Sequence, residues 1–203
     1  HMLEDPFEYR GIREYAPYDE MKTINWKATA RTGDLMVNIR NYTSLRAVRI
    51  FLNLADTGIL KNEQLVELCI SIAARFAGEL LEQGIRVAVY ANGEDVLTGD
   101  PMKMQPSAGP GHMESINRAF ARISLEEGVY PFGELFRGEL EEEGKDMATL
   151  FLSVDRSPEF QEDIRTFARM GTDFTWMCPL FPRMESHVEE EEALHFIRLD
   201  AEE

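Results

Sequence analysis

The sequence predicts an α/β protein built on a doubly wound, mostly parallel sheet. Three observations favour this class: strand-like and helix-like runs alternate from residue 45 onward, several strand-like runs are apolar throughout, and the stretches between them have helical periodicity. Strands that are apolar along their whole length are typical of parallel sheets covered by helices on both faces. We therefore expect one α/β domain over residues 45–203 with right-handed crossovers, preceded by an arm over residues 1–44.

The first strand and helix of the domain follow from residue type and spacing. Residues 47–54 are β-branched and apolar over the length of a strand. Asn62 would cap a long helix that runs to Gln83 and ends at Gly84. Apolar side chains three and four residues apart form one broad stripe along this segment. The stripe predicts a helix that packs on a sheet.

The remaining elements are predicted in the same way. Asn92-Gly93, after a second strand at residues 85–90, is typical of a two-residue hairpin and would lead into a return strand. An uninterrupted apolar run predicts a buried strand at 147–154. The further elements expected are the return strand at 95–98, a loop at 99–111 with a short edge strand at Met102 and Met104, helices at 112–123 and 131–142, a helix opening at Ser157-Pro158, and strands at 173–178 and 193–199.

The charge balance excludes one class of function and divides the chain into two chemical regions. The chain holds 21 Lys and Arg against 37 Asp and Glu, a formal net charge of −16. Nucleic-acid affinity depends on basic residues that neutralise phosphates, so we expect no nucleic-acid partner. The first 50 residues contain eight basic and seven acidic residues, so the acidity belongs to the rest of the chain.

Two further features concern the environment of the protein. No run approaches the roughly 18 consecutive apolar residues of a membrane span, and we expect no direct membrane contact by this chain. Cys69 and Cys178 are far apart and form no CxxC arrangement. This usage favours free thiols in a reducing compartment over a single disulfide.

The first candidate site follows the first strand. In an open α/β sheet, ligands bind outside the carboxyl ends of the strands. The segment from Asn53 to Thr57 lies at such an end and offers an amide, the carboxylate of Asp56 and a hydroxyl. These groups would either contribute oxygen ligands to a divalent cation or serve in the loop and in helix capping.

The second candidate lies in the arm. Lys27 and Arg31 are four residues apart on one face of a short helix that Gly33 would end. Such a basic pair would hold an acidic partner or a phosphate. The alternative is a structural ion pair with Glu14 or Asp19.

The arm also carries a long motif that resembles a known family. The motif comprises Arg13, Tyr15, Pro17 and Asp19, followed by Ile24-Asn25-Trp26-Lys27-Ala28-x-Ala30-Arg31-x-Gly33-x-Leu35-x-Val37. It closely resembles the signature of domain-of-unknown-function family 58. That bacterial family has a von Willebrand factor A-like domain and is often encoded beside MoxR-type AAA+ ATPases. The resemblance continues through the first strand, the Leu65–Leu80 helix and the Val87–Gly93 segment.

The resemblance implies a metal-ion-dependent adhesion motif, Asp-x-Ser-x-Ser, which would fall on Asn53, Ala55 and Thr57. This chain replaces the charged ligand with an amide and the first hydroxyl with a methyl group. We therefore expect a degenerate site with no resident cofactor, at which tight binding of Mg²⁺ or Mn²⁺ is not favoured. The family's later acidic position falls near Asp155, and Asp56 would join the site after a shift of the loop. The candidate metal ligands are accordingly Asp56, Thr57 and Asp155.

These observations predict a non-catalytic protein-interaction or scaffold module of von Willebrand A type. Its expected contact surface comprises the arm and the residues Asn53, Ala55, Asp56, Thr57, His112 and Asp155. The resemblance implies a MoxR-type AAA+ ATPase as partner. It also implies a location on the cytoplasmic face of the bacterial inner membrane, with the full-length protein anchored there.

Two alternatives to the interaction module stay open at this point. The first is a metal-assisted hydrolase that uses Asp56 and Asp155. Against it stands the lack of a paired acid and base, of a convincing nucleophile and of a complete ligand set in the sequence. The second is a purely structural domain of a larger membrane protein, which would have no partner at these surfaces.

Overall fold

The computed structural model describes residues 12–16, 25–38, 47–58, 61–142, 147–171 and 173–202. The chain divides into two compact units, His1–Ser44 and Leu45–Glu203. The elements of the first unit are β1 (Ile12–Glu14), α1 (Trp26–Thr32) and β2 (Met36–Asn38). β1 and β2 pair antiparallel, so the described part of the first unit is a small two-stranded sheet with a helix in the connection.

Local polar contacts explain why α1 begins and ends where it does. The side chain of Asn25 accepts a hydrogen bond of 2.9 Å from the Ala28 N–H and thereby caps the first turn. Gly33, with φ of 84°, adopts the left-handed conformation that ends the helix. The hydroxyl of Thr29 accepts a hydrogen bond of 2.9 Å from the Met36 N–H and joins α1 to β2. The helix end predicted at Gly33 is confirmed.

The second unit is a seven-stranded sheet with helices on both faces. Its elements are β3 (Ala47–Asn53), α2 (Glu63–Glu82), β4 (Arg86–Asp95), β5 (Pro101–Ser107), α3 (Pro110–Phe120), β6 (Ile123–Val129), α4 (Phe132–Glu142), β7 (Met147–Ser153), α5 (Pro158–Ala168), β8 (Phe174–Leu180) and β9 (Phe196–Asp200). The strand order is β5-β4-β3-β7-β8-β9, and β6 pairs with the far end of β4. Only the β5 and β6 pairings are antiparallel, so the predicted fold class is confirmed.

All seven residues of β3 are buried because each face of the sheet carries its own core. Val48, Ile50 and Leu52 point to the face covered by α2 and α3. Phe51 points to the opposite face, which α4 and α5 cover with aromatic side chains. It stacks on Phe151, its neighbour in register on β7, with ring centroids 5.5 Å apart. Burial on both faces explains why the central strands are uninterrupted apolar runs.

The two cysteines lie in these cores as free thiols, as predicted. Cys69 on α2 and Cys178 on β8 are both fully buried. Burial raises the pKa of the Cys178 thiol to about 12, and burial also raises the pKa of Cys69. Both side chains therefore act as small apolar core residues.

The predicted hairpin at Asn92-Gly93 is wrong. β4 continues through these residues to Asp95, and the chain turns at 96–100 before β5. Gly93 serves close packing instead of a turn, since a Cβ at this position would lie 2.5 Å from Ile123 Cγ2 and 2.7 Å from Leu54 Cδ1.

Strands β5 and β6 also differ from the expectation. β5 occupies most of the predicted loop at 99–111, although the edge strand expected at Met102 and Met104 is confirmed. β6 was not predicted. This strand pairs with the part of β4 that extends beyond the end of β3. The sequence of β6 is short, lacks a regular apolar pattern and contains two acidic residues, so it does not predict a strand. Among the described helices, none has the length and apolarity that crossing a bilayer requires.

We predict that Gly93→Ala destabilises the second unit. The added methyl group would overlap Ile123 and Leu54 in a packed core, and overpacking of this kind costs about 1–3 kcal/mol. Urea denaturation followed by far-UV circular dichroism measures the loss. The matched control is Gly138→Ala in α4, where a Cβ meets nothing within 4 Å. Removing a helical glycine there should leave stability unchanged or raise it by up to about 1 kcal/mol. Equal midpoints for Gly93→Ala and wild type would contradict this account.

Candidate functional site

The candidate site lies where β3 and β7 run side by side and their following segments part. Asn53 and Ser153, the last residues of the two strands, are in register. The segment after β3 leads to α2, which packs on one face of the sheet, and the segment after β7 leads to α5 on the other face. Such a topological switch point is the usual ligand site of an open α/β sheet.

Asn53, Thr57 and Asp155 form one hydrogen-bonded cluster at this point. Thr57 Oγ1 donates a hydrogen bond of 2.7 Å to Asp155 Oδ1. Asn53 Nδ2 donates to Asp155 Oδ2 over 3.4 Å. Since a carboxylate only accepts, the NH₂ group of Asn53 must be the end that faces Asp155. The structure thus brings together three of the predicted site residues.

Asn92, on neighbouring β4 just after its last parallel pair with β3, completes this cluster. Its Nδ2 donates to Asn53 Oδ1 at 2.9 Å and to the Tyr130 carbonyl at 3.0 Å, and its Oδ1 accepts 2.7 Å from the Leu54 N–H. The Ala55 N–H also donates to Asn53 Oδ1, at 3.1 Å. Asn53 and Asn92 are buried, and these bonds satisfy polar groups that would otherwise be costly to bury.

Asp155 is held from the backbone as well as by side chains. Its Oδ1 accepts a hydrogen bond of 2.9 Å from the Ser157 N–H at the start of α5. Its own N–H donates to Ser153 Oγ at 3.0 Å. The carboxylate is 6% exposed and therefore sits in a preorganised position just beneath the surface.

Asp56 does not join the cluster. Its Oδ1 accepts a hydrogen bond of 3.0 Å from the Gly58 N–H, and its Oδ2 accepts one from the Asn62 N–H at the start of α2. Asn62 is the N-cap residue of α2, as predicted, but its side chain makes no capping hydrogen bond. Of the two roles open for this segment, Asp56 takes the structural one.

The residues at the switch point do not fit a resident divalent cation. Mg²⁺ requires oxygen ligands, usually with one or two carboxylates among them. Asn53 presents N–H donors to Asp155, and its Oδ1 already accepts two hydrogen bonds. Both carboxylate oxygens of Asp56 accept hydrogen bonds from backbone N–H groups. Within the part of the chain that the structure describes, no three His, Cys, Asp or Glu side chains are grouped to hold a metal.

Other acids surround the start of α5. Burial raises the pKa of Asp163, Arg137 opposes this rise, and the charges of Glu159, Glu162 and Asp155 add to it. The negative charges of these three carboxylates therefore act on Asp163.

His112 was predicted to belong to the same surface, and this prediction is wrong. Its Nε2 lies 2.7 Å from the carbonyl oxygen of Val87, near the beginning of β4. Val87 is in register with Val48, also near the beginning of its strand. In a parallel sheet this places His112 at the amino end, opposite the edge that holds Asn53.

The motif residues of the arm are partly described. Arg13 lies in β1, and the Tyr15 N–H donates to the Leu35 carbonyl at 2.8 Å. Trp26 is 63% exposed, and Lys27 and Arg31 are exposed beside it on α1. Pro17 and Asp19 lie outside the described residues. Where the arm is described, no ion pair joins Lys27 or Arg31 to Glu14, while the alternative pairing with Asp19 lies outside the described residues.

Sequence reasoning missed Asn92 and Ser153 as members of the site. The Asn-Gly pair predicts a hairpin turn, and a residue in that turn is not expected at the site. A rule that polar residues at the carboxyl ends of adjacent parallel strands converge would have identified both residues. Applying this rule requires that β4 and β7 are the neighbours of β3, as they are in the sheet.

Comparisons with known proteins were made by family, by sequence and by structure. A family model described as "Protein of unknown function DUF58" matches residues 11–128. No curated protein matches the sequence.

Solved structures similar to this chain include three proteins of low identity. The conserved hypothetical protein BatB from Bacteroides thetaiotaomicron is 12% identical with a TM-score of 0.48, over 77% of this chain and 91% of that one. The pilus adhesin SpaC from Lactobacillus rhamnosus GG is 9% identical with a TM-score of 0.49, over 77% and 28%. Proximal thread matrix protein 1 from the mussel byssus is 9% identical with a TM-score of 0.47, over 78% and 44%. The chain thus spans under half the length of the last two.

We predict that Asn92→Ala destabilises the protein by loosening the switch point. The substitution leaves the Leu54 N–H, Asn53 Oδ1 and the Tyr130 carbonyl without this partner in a buried setting. Each buried group left unsatisfied costs about 1–3 kcal/mol. Urea denaturation measures the change. Asn117→Ala, on the exposed face of α3, is the matched control and should change stability little. An Asn92→Ala midpoint equal to that of the control would show that the cluster does not stabilise this edge.

Proposed function

The chain belongs to the DUF58 family of proteins of unknown function, and from that premise we propose that it is a non-catalytic protein-interaction module. Its contact surface is the switch-point edge around Asn53, Thr57 and Asp155, together with α1 of the arm. The module is of von Willebrand A type with a degenerate metal-ion-dependent adhesion site. It works without a resident metal ion.

The observation that carries this proposal is the hydrogen bonding of Asp155. Both of its carboxylate oxygens accept from groups of this chain, namely Asn53 Nδ2, Thr57 Oγ1 and the Ser157 N–H. The NH₂ group of Asn53 thus gives Asp155 a hydrogen-bond donor. With this partner the carboxylate does not need a cation beside it. A carboxylate engaged in this way is poorly placed to act as a free general base. Because Asp155 is almost completely buried, a partner at this edge would contact the exposed Thr57 beside it.

Exposure of the arm helix supports its part in the contact surface. Within the described part of α1 no residue is buried, and Trp26 is 63% exposed next to Lys27 and Arg31. Trp and Arg are the residues most enriched among those that dominate binding energy at protein interfaces. The pair of bases on one helix face is suited to an acidic segment of a partner.

The proposed partner is a MoxR-type AAA+ ATPase, as the family resemblance implies. We place the module on the cytoplasmic face of the bacterial inner membrane, with the full-length protein anchored there. The two proposed contact surfaces lie in regions of different charge. The nearly neutral first 50 residues and the acidic remainder of the chain provide that contrast.

We predict that Asn53→Asp converts the edge into a metal-responsive one. A second carboxylate would then face Asp155 at the position from which Asn53 Nδ2 now donates, and the two like charges would repel. Without divalent ions the melting temperature should fall. Mg²⁺ or Mn²⁺ should restore much of the loss, because an ion that binds only the folded state stabilises it. Differential scanning calorimetry with and without each ion measures both effects.

The control for this experiment adds the same charge elsewhere. Asn117→Asp on the exposed face of α3 should show no ion-dependent change in melting temperature. Wild-type protein should also show none. If wild type gained as much from Mg²⁺ or Mn²⁺ as Asn53→Asp, the metal-independent module would be ruled out.

We predict that both surfaces contribute to binding of a purified MoxR-type ATPase from the same genome. Thr57→Val removes the hydroxyl by which this exposed residue donates to Asp155, and Arg31→Glu reverses a charge on α1. Each should weaken binding measured by biolayer interferometry about tenfold or more, the loss expected for one contact worth about 1.4 kcal/mol. Arg75→Glu, on the exposed face of α2, is the control for charge reversal and should bind as wild type does.

Two outcomes would contradict the proposed function. Binding of the ATPase that no substitution at either surface weakens would show that these surfaces are not the contact. Hydrolase turnover that survives repurification of wild type and disappears in Asp155→Asn would make the protein an enzyme.

A further inference from the structure

The turn between β4 and β5 presents two large aliphatic side chains to solvent. Val96 is 60% exposed and Leu97 is 74% exposed, the highest value among the large apolar side chains that the structure describes. Isolated exposed aliphatic residues are ordinary, but an adjacent pair on a protruding turn is a small apolar patch. Residues 96 and 97 are called the apolar tip below.

The side chain of Asp95 fixes the backbone at the apolar tip. Asp95 is 6% exposed, and its Oδ1 accepts a hydrogen bond of 2.9 Å from the Leu97 N–H. Its Oδ2 accepts from Arg122 Nε at 2.9 Å and from Arg122 Nη2 at 2.8 Å. The carboxylate that orders the turn is therefore itself held by a charged partner on the neighbouring connection.

Backbone contacts on either side complete this support. The Val96 N–H donates to the Arg122 carbonyl at 2.9 Å, and the Gly99 N–H donates to the Asp95 carbonyl at 2.8 Å. The hydroxyl of Tyr130 donates to the carbonyl of Gly99. Gly99 has φ of 73°, a conformation that favours glycine, so the chain can reverse direction here. These bonds hold the backbone of the apolar tip in one conformation.

We propose that the apolar tip is an anchor for a partner protein whose surface offers an apolar pocket bordered by basic residues. An anchor that is already rigid when free loses little conformational entropy on binding, which favours affinity. Burying one such side chain contributes enough to rank among the dominant contacts of an interface. This inference rests on the proposed function in that both assign protein binding to the chain, but it adds a separate contact and the chemistry of its partner.

Charge around the apolar tip specifies the basic border of the pocket. Residues 92–101 include three acids and no base. Arg122 is paired with Asp95, and Lys103 is paired with Glu139 at 2.8 Å, so both nearby bases are already neutralised. In the described part of the chain, neither Glu94 nor Asp100 forms an ion pair. A second copy of this acidic chain, or an anionic bilayer, would be repelled from such a surface.

The apolar tip is continuous with the switch-point edge through hydrogen bonds. Asn53 bonds to Asn92, Asn92 bonds to Tyr130 through both side chain and backbone, and Tyr130 bonds to Gly99 beside the apolar tip. The edge at Asp155 and the apolar tip therefore belong to one hydrogen-bonded region of the second unit, and one partner could contact both. The two contacts would reinforce each other without any rearrangement of the chain.

Selection of peptides from a random phage-displayed library tests the proposal. Wild-type protein is the target, and Leu97→Ser protein removes peptides that bind elsewhere. The enriched peptides should combine aromatic or aliphatic residues with Lys or Arg. A synthetic copy of an enriched peptide should bind Leu97→Ser about tenfold or more weakly than wild type by calorimetry, as expected for one lost aliphatic anchor. Its affinity for wild type should fall as salt is added.

Two control variants separate the anchor from general stickiness and from misfolding. Ile197→Ser removes another exposed aliphatic side chain, 42% exposed on β9, and should bind the peptide as wild type does. Arg122→Gln keeps both aliphatic side chains but removes the charged support of Asp95, and it should bind severalfold more weakly. Circular dichroism and melting temperature establish that each variant is folded. Equal loss of binding in Ile197→Ser would overturn the anchor.

The remaining outcomes also decide the matter. A lack of enrichment on wild type, or equal binding to wild type and Leu97→Ser, would overturn the anchor and leave the ATPase measurement to judge the proposed function independently. Sedimentation showing Leu97-dependent self-association would assign the apolar tip to a second copy. Leu97-dependent binding to phosphatidylglycerol vesicles would assign it to a membrane. Either of these results would overturn the proposal.

Discussion

The structure of the second unit depends on satisfying buried polar groups where three parallel strands end. Asn53 and Asn92 are almost completely buried, and every contact described for them is a hydrogen bond to a loop or strand of this edge. Because an unpaired buried amide is costly, these bonds determine how the chain leaves β3 and how Tyr130 approaches β4. Asp155 adds the end of β7 to the same cluster. The shape of the edge follows from this one requirement.

The chemistry of the edge follows from an amide in place of a carboxylate. A carboxylate at position 53 would leave two like charges side by side, which a cation could relieve. Asn53 instead supplies a donor, so Asp155 is satisfied by the protein itself. Asp56, which the sequence offered as a substitute ligand, is occupied with backbone N–H groups before α2. The edge is thus rigid and polar, features that suit recognition of a partner better than proton transfer.

Three exposed features differ in chemistry and lie on different supports. The helix of the arm displays an aromatic and two bases, the switch-point edge displays Thr57, which is bonded to a buried carboxylate, and the apolar tip displays two aliphatic side chains. In the second unit the latter two are held by hydrogen bonds to buried residues such as Asn92 and Asp95. Rigid support of exposed groups lowers the entropic cost of binding. The rest of the second unit is conventional, since two apolar cores cover its sheet and both cysteines are buried within them.

The sequence by itself determined the fold class, the helix that ends at Gly33, the buried strands and the positions of Asn53, Thr57 and Asp155 at strand ends, because these depend on local residue type and periodicity. Only the tertiary structure decided the rest. Asn92-Gly93 has strong turn propensity, yet Leu54 and Ile123 pack against Gly93 and keep it in β4. His112 is far from Asn53 in the sequence. It is also far from Asn53 in space, because the direction of β4 places it at the opposite end of the sheet. Asp56 and Asp155 look equivalent in sequence. Their different roles arise from which N–H groups and hydroxyls the fold brings to each carboxylate, and no local pattern encodes those distances.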